Sequence, residues 1–429
     1  MIMLTGPHSV TAISGDPRAG GDAGPLMKRL GELTDELVFA DGGRIERCWP
    51  ARDGGINIEL SHPDPDGGRI RRYIRLAGDG LRDAQSAVIP GGGLSFHLPQ
   101  TDPQLPHLAR CLDGTRMAGR IIEALNSSSR RRGDVLARAG QLDLLADLLA
   151  YRAGRRATIR YTAAGLGARF RWVAKTFRDD RAERLAARHR AVNDQLARVS
   201  SGRVRAAMPL VVFDDLRMVL FDWAGGAPAA GWKGLSNDHA GRVAGAVAAL
   251  HNCRGLRTSR FGTDDEIEVI RRWYGLVAGV DEALARRWSV IVRLIESLAV
   301  QLPAVAGATV HRDFYNAQLL LTQRTATLVD LDTLAVGDPA IDLGNWIAHA
   351  YLDALRLSAT DRWPGLYREL IRAYRSIRPV SDIGLRFYTA TSAMRLAMVH
   401  VWRSSTGAFA QPLAELAERI CRHGLELDR

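Results

Sequence analysis

Hydrophobic and polar positions follow two different periods along the chain. Alternating apolar residues at Ile56, Ile58 and Leu60, and again from Ile70 to Leu76, flank the turn-forming run Pro63-Asp64-Pro65-Asp66-Gly67-Gly68, which predicts a β-hairpin. A helical period runs from Leu105 to Leu125 and another from about Val135 to Ala150. Ala157 to Thr162 and Phe170 to Phe177, joined around Gly165 and Gly167, predict a second hairpin. A charged helix follows from Arg181 to about Val199, then a third strand pair at Leu210 to Phe213 and Met218 to Phe221. Past the break at Ala224-Gly225-Gly226-Ala227-Pro228 the pattern is mainly helical, with segments at 238–251, 266–277, 281–298, 342–357 and 367–376.

This order predicts an α+β chain with a β-rich half joined through glycines to a helical half. A crevice between two such lobes is a common place for a ligand. With 429 residues the chain exceeds one ordinary core. The expected parts are a flexible N-terminus at 1–26, an accessory α+β region at 27–133, a β-rich lobe at 134–224 and a helical lobe at 225–429. The polar run Ser127 to Gly133, with Arg130, Arg131 and Arg132, is the expected boundary.

Charge changes the picture through its placement. The net charge is +11, yet residues 1–150 carry 18 basic and 19 acidic side chains, while 151–200 carry 13 basic and 4 acidic ones. Such a patch suits nucleotide phosphates or a solvated surface. A nucleic-acid partner is not expected, because no basic motif interleaved with aromatics is present. Of the 58 basic residues only Lys28, Lys175 and Lys233 are lysines, so a lysine inside the apolar strand 170–177 calls for a reason. Cys48, Cys111, Cys253 and Cys421 lie far apart and read as packing residues. No apolar run approaches the roughly 18 residues of a membrane helix, and Met1 to Pro25 lacks a signal-peptide pattern, so the expected location is the cytoplasm, with no membrane partner.

Candidate chemistry concentrates in His311-Arg312-Asp313-Phe314-Tyr315-Asn316-Ala317-Gln318, Leu328-Val329-Asp330-Leu331-Asp332 and Gly337-Asp338-Pro339-Ala340-Ile341-Asp342. Residues 301–350 hold five aspartates against two arginines. Converging carboxylates without counter-charge bind cations. Asp330 follows an apolar strand and Gln318 precedes one, so a hairpin would bring both to one end. A carboxylate and an amide oxygen, with phosphates completing the shell, are a usual magnesium site.

Taken together, these segments resemble the aminoglycoside phosphotransferase family, within the protein-kinase-like fold. Val173-Ala174-Lys175 is similar to that fold's phosphate lysine, Glu183 to its salt-bridge partner, and Ala249-Leu250-His251 to the family's Leu-His helix end. Tyr151-Arg152-Ala153-Gly154-Arg155-Arg156 is similar to the Tyr-x-x-Gly-x-Arg segment of bacterial phosphotransferase-like proteins whose substrates are mostly unassigned. The resemblance spans roughly 150–355 and implies a two-lobed fold and phosphoryl transfer from ATP or GTP with Mg2+. It implies that Asp313 accepts the proton of an acceptor hydroxyl, that His311 orients the loop and that Asp330 and Gln318 hold Mg2+. Gln318 stands where most of the family has Asn, one methylene shorter. Asp332 is a second metal ligand or a polar residue on the opposite strand face. Lys175 neutralises phosphates with Glu183 holding it, and Arg156 or Gly154 contacts phosphate. Asp338 and Asp342 are helix caps and loop braces or chemical participants, and His251 and His400 are core or helix-end histidines. Only Leu331 to Gly337 separate Asp330 from Asp338, too few for an activation loop, which favours a small-molecule acceptor. Aminoglycosides are polycations, yet 343–429 carries 12 arginines against 8 acids, so a neutral or anionic acceptor is expected. The alternatives are a peptide Ser/Thr kinase of natural-product biosynthesis and a nucleotide-binding pseudokinase scaffold.

Overall fold

The computed structural model describes residues 2–5, 9–12, 44–50, 56–63, 69–76, 94–97, 99–127, 143–165, 168–229, 237–279, 281–401 and 407–426. Within the start expected to be flexible, β1 (Ile2–Thr5) and β2 (Ser9–Ala12) pair antiparallel. Ile2, Leu4 and Val10 alternate around Gly6-Pro7, a short hairpin pattern obscured by the low apolar content of the surrounding residues. The expected hairpin at 56–76 forms as β4 (Ile56–Pro63) and β5 (Arg69–Leu76), with Ile56 opposite Leu76. Flanking strands β3 (Arg44–Pro50) and β6 (Leu94–His97) extend it into a four-stranded antiparallel meander.

The period from 105 to 125 becomes two helices, α1 (Leu108–Leu112) and α2 (Gly114–Ser127). Their apolar faces do not close an accessory unit. Leu105, Leu108, Cys111, Met117, Ile121 and Leu125 share one core with Tyr151, Ile159, Tyr161, Trp172 and Leu220 of the following sheet. Residues 105–125 are therefore packed into the lobe that was expected to begin at 134. The linker residues after Ser127 lie outside the described residues.

That sheet has five antiparallel strands in the order β11-β12-β9-β8-β7. They are β7 (Asp143–Arg152), β8 (Arg156–Gly165), β9 (Ala168–Phe177), β11 (Pro209–Phe213) and β12 (Met218–Asp222). The helix expected over 135–150 is overturned at 143–150. Residues 135–142 lie outside the described residues, and 143–150 belong to β7. The leucines that suggest a helical face obey period two instead: Leu144, Ala146 and Leu148 pack on the core while Leu145 and Leu149 are exposed. Pairing with β8 along the length of β7 overrides the local helix preference of leucine.

Helix α3 (Arg181–Ser200) covers the other face of the sheet, burying Ala182, Leu185 and Ala186 against Phe177, Val219 and Phe221. The lobes meet through a four-stranded sheet, in the order β10-β16-β15-β13. It comprises β10 (Val204–Ala206), β13 (Ala227–Pro228), β15 (Leu319–Leu321) and β16 (Ala326–Leu328). The helical lobe contains α4 (Asn237–His251), α5 (Thr263–Ala278), α6 (Glu282–Ala299), α7 (Ala340–Arg356), α8 (Trp363–Arg375), α9 (Asp382–Val401) and α10 (Ala410–His423). A two-stranded ladder, β14 (Ala308–Val310) with β17 (Ala335–Gly337), brackets the candidate chemistry. Cys111, Cys253 and Cys421 are buried and unpaired. No described helix is long and apolar enough to cross a membrane.

Helices α7 and α9 lie close together at Gly344, where an added Cβ would lie 2.6 Å from Thr389 N and from Tyr388 C. Alanine gains about 1 kcal/mol in helix propensity over glycine. Main-chain atoms cannot rotate away from the new methyl, however, and overpacking costs about 1–3 kcal/mol. Gly344→Ala is therefore expected to lower the urea midpoint; an unchanged or raised midpoint would show slack between the helices.

Candidate active site

Antiparallel pairing sets Leu319 opposite Leu328, and the Val329 N–H donates to Gln318 O at 3.0 Å, so Gln318 and Asp330 leave one hairpin at the same end. Asp330 adopts the left-handed conformation, φ 59° and ψ 52°, and opens the single turn Leu331–Thr333. That turn is tied to α3: Arg188 Nη1 donates to Leu331 O at 2.9 Å and to Asp332 O at 2.8 Å.

The loop from His311 to Asp313 is held from below. Asp342 is fully buried at the start of α7 and accepts from His311 N–H and Arg312 N–H, each at 2.7 Å. The same carboxylate takes the Nε2–H of His251 at 3.0 Å, and His251 Nδ1 accepts from Tyr374 O–H at 2.8 Å. These bonds hold Arg312 at φ 69°, outside the conformations an arginine prefers. His311 donates from Nε2 to Val329 O at 2.8 Å, tying the loop to the strand that ends at Asp330. Asp342 is thus a loop brace, and Asp338 accepts the Ala340 N–H at 2.8 Å as a helix cap. The Arg312 guanidinium lies 3.5 Å from the Phe261 ring centroid. Burial lowers its pKa, and the charges of Glu266 and Asp265 oppose that shift.

Lys175 reaches the site through the period of β9. Trp172 and Ala174 point into the core shared with α1 and α2, while Lys175 and Phe177 emerge on the α3 side. Its ammonium lies 2.6 Å from Asp330 Oδ1 and 3.0 Å from Asp332 Oδ1. Arg156, at the start of β8, contacts Asp332 and lies 3.9 Å from Asp330. Two cations of one lobe therefore meet two carboxylates of the other. Burial opposes ionisation of Asp330, but Lys175 and then Arg156 outweigh it and hold the carboxyl well below its usual range. The Tyr315 phenol is pushed up by burial and further by the charges of Asp313, which is half-exposed, and Asp330. The Tyr315 ring is stacked on His349 at 4.3 Å.

Two expected contacts are not made. Glu183 points away from Lys175 and pairs with Arg190 at 3.2 Å. The inward face of α3 carries Ala182, Leu185, Ala186 and His189, and Glu183 is rotated about 100° from Ala182. Its acid in the first turn suits the helix dipole. Gly154, at φ 65°, gives its N–H to Asp102 at 2.7 Å and not to the cleft. Sequence reasoning missed Arg188, because arginine is common throughout the chain, and it read His251 as a core residue without its bonds to Asp342 and Tyr374. Among the described residues no three His, Cys, Asp or Glu side chains cluster as a metal site. The oxygen donors of Asp330 and Asp332 beside two cations, with Gln318 leaving the same end of the hairpin, suit a divalent ion that phosphates complete.

Residues 148–387 match the model of the phosphotransferase enzyme family, more than half of the chain, and the protein belongs to that family. Among solved structures it is similar to a spectinomycin phosphotransferase in complex with ADP and spectinomycin, at 10% identity over 70% of this chain and 98% of that one, TM-score 0.49. A choline kinase from Streptococcus pneumoniae matches at 14% identity over 71% and 99%, TM-score 0.46. A choline/ethanolamine kinase family protein from Mesorhizobium loti matches at 14% over 71% and 94%, TM-score 0.47. No curated protein matches the chain.

Because Arg188 and not Glu183 ties α3 to the Asp330–Asp332 turn, their variants should separate. Arg188→Met is expected to reduce phosphotransfer by about 10- to 100-fold, the usual cost of losing support behind a metal site. Glu183→Gln should stay within about twofold, since it loses only an exposed pair. Steady-state rates at matched melting temperatures check this; equal losses in both variants would return Glu183 to the site.

Proposed function

We propose that the protein transfers the γ-phosphoryl group of ATP or GTP, in the presence of Mg2+, to a hydroxyl of a neutral or anionic small molecule or biosynthetic intermediate in the cytoplasm. The observation that carries this reading is the convergence of Lys175 and Arg156 on Asp330 and Asp332 beside the braced His311–Asp313 loop. Phosphoryl transfer asks a protein for positioning and charge neutralisation, and these residues supply both. Lys175 and Arg156 are the cations for the phosphates. Asp330 and Gln318, with Asp332 beside them, would hold the metal, which supplies charge neutralisation at the phosphate oxygens. The acceptor oxygen forms its bond to the γ-phosphorus as the bond to the nucleoside diphosphate breaks, and Asp313 takes the hydroxyl proton. His311 and Asp342 fix the loop that presents Asp313.

The acceptor class follows from charges already engaged near the loop. Asp265 accepts from Gly262 N–H at 2.8 Å, and Asp353 is bonded to Asn316 at 2.8 Å and to Arg356 at 3.0 Å. Residues 343–429 carry 12 arginines against 8 acids, a balance unsuited to a polycation, whose desolvated ammonium groups need opposite charge.

A panel of neutral, anionic and polycationic alcohols, assayed with ATP and GTP, tests this reading. Efficient transfer to neutral or anionic members is expected. Asp313→Asn should bind nucleotide normally but turn over about 10²- to 10⁴-fold more slowly. Transfer confined to polyamine sugars would reverse the acceptor assignment, and undiminished turnover in Asp313→Asn would remove that residue from its role.

A further inference from the structure

The turn that carries Arg156 is fixed from behind by a residue outside the family-matched segment 148–387. Asp102 is 3% exposed and sits just ahead of α1. Its Oδ2 accepts from Tyr151 O–H at 2.6 Å and from Gly154 N–H at 2.7 Å, and its Oδ1 accepts from Gln104 N–H at 2.9 Å. Tyr151 lies near the end of β7 and Gly154 in the β7–β8 turn, which Arg155 N–H closes onto Arg152 O at 2.9 Å. Two residues past Gly154, Arg156 begins β8 opposite Phe177 and reaches Asp332.

We propose that Asp102 is a positioning residue for nucleotide: it locks the β7–β8 turn so that Arg156 is held over the Asp330–Asp332 pair. The inference rests on the nucleotide-binding reading of that site. A carboxylate suits the task because the turn presents two donors at one point, Tyr151 O–H and Gly154 N–H. An ionised acceptor makes short, strong bonds to both. Buried donors without an acceptor would cost more than the bonds themselves gain, so the turn has a strong reason to stay on Asp102. Leu105, fully buried and giving its N–H to Asp102 O at 3.0 Å, anchors the segment and keeps the carboxylate from following a moving turn. The same contact withholds the Gly154 N–H from any phosphate, while the Arg156 side chain reaches the cleft at Asp332. Residues 99–127 thus act as part of the nucleotide lobe, through a core contact and a polar latch.

Three full-length variants separate the latch from general packing. Asp102→Ala removes both bonds to the turn. Asp102→Asn keeps an oxygen that can accept from both turn donors and gives up only the Gln104 N–H bond, since its amide nitrogen cannot accept. Leu108→Ala weakens the shared core and leaves the Asp102 bonds in place. Amide exchange of residues 151–157 by mass spectrometry, melting temperature and steady-state constants are measured on each. Asp102→Ala is expected to speed exchange in the turn and raise the nucleotide KM, each by about tenfold, with kcat and acceptor KM within about twofold. Asp102→Asn should recover most of both losses. Leu108→Ala should lower the melting temperature with the nucleotide KM unchanged. Wild-type protection of the turn in Asp102→Ala overturns the latch. Lost protection with an unchanged nucleotide KM overturns its positioning role, as does the same KM shift in Leu108→Ala. A wild-type protein that neither binds nor consumes nucleotide would defeat the functional reading, while the exchange measurement would still decide the latch.

Discussion

Four charges across the cleft organise this protein. Lys175 and Arg156 come from adjacent strands of one lobe, and Asp330 and Asp332 from one turn of the other. Taking such groups out of water is costly, so each depends on its partners. Removing one member would leave an uncompensated charge in a site where Lys175 is only 9% exposed. The arrangement therefore requires both lobes to be placed accurately, and the remainder of the fold can be read as the means of placing them. The central position of β9 fixes Lys175, the start of β8 fixes Arg156, and the β15–β16 hairpin with Arg188 of α3 fixes the aspartates.

The second requirement is to hold backbone in conformations it does not favour. Arg312 and Asp330 both lie in the left-handed region, and each is next to a residue assigned to the chemistry or is one itself. The buried Asp342 carboxylate satisfies two loop N–H groups and is itself supported by His251 and, through it, Tyr374. This chain runs from α8 through α4 and α7 to the loop. Stability in the helical lobe is thereby converted into rigidity at Asp313.

The parts legible in the sequence were those encoded by local pattern. The strand of Lys175, the hairpin that unites Gln318 with Asp330 and the helices after 237 all follow from period, turn residues and breakers. What was not legible depends on partners distant in the chain. Residues 143–150 look helical until β8 is placed beside them, because leucine fits either state and pairing decides. Glu183 has the residue type and separation expected of a lysine partner, but the inward face of α3 is set by Ala182, Leu185, Ala186 and His189, and a one-residue difference turns Glu183 outward. The helical period of 105–125 shows an apolar face without showing its cover, so a boundary at a polar run near 127–133 separated α1 and α2 from the sheet they complete. Asp102 was invisible for the same reason, since its meaning lies in Tyr151 and Gly154.

The central claim is that the four-charge cluster is a joint phosphate and metal site, in which the cations serve phosphate and the carboxylates serve magnesium. Calorimetric titration of ATP into the intact protein, with and without Mg2+, tests it most directly. Magnesium should strengthen binding by at least about tenfold in the wild type, because the ion neutralises carboxylates that otherwise compete with phosphate for Lys175 and repel it. Lys175→Met should lose most of the magnesium-supported affinity. Equal nucleotide affinity with and without magnesium, together with unimpaired binding in Lys175→Met, would contradict the account.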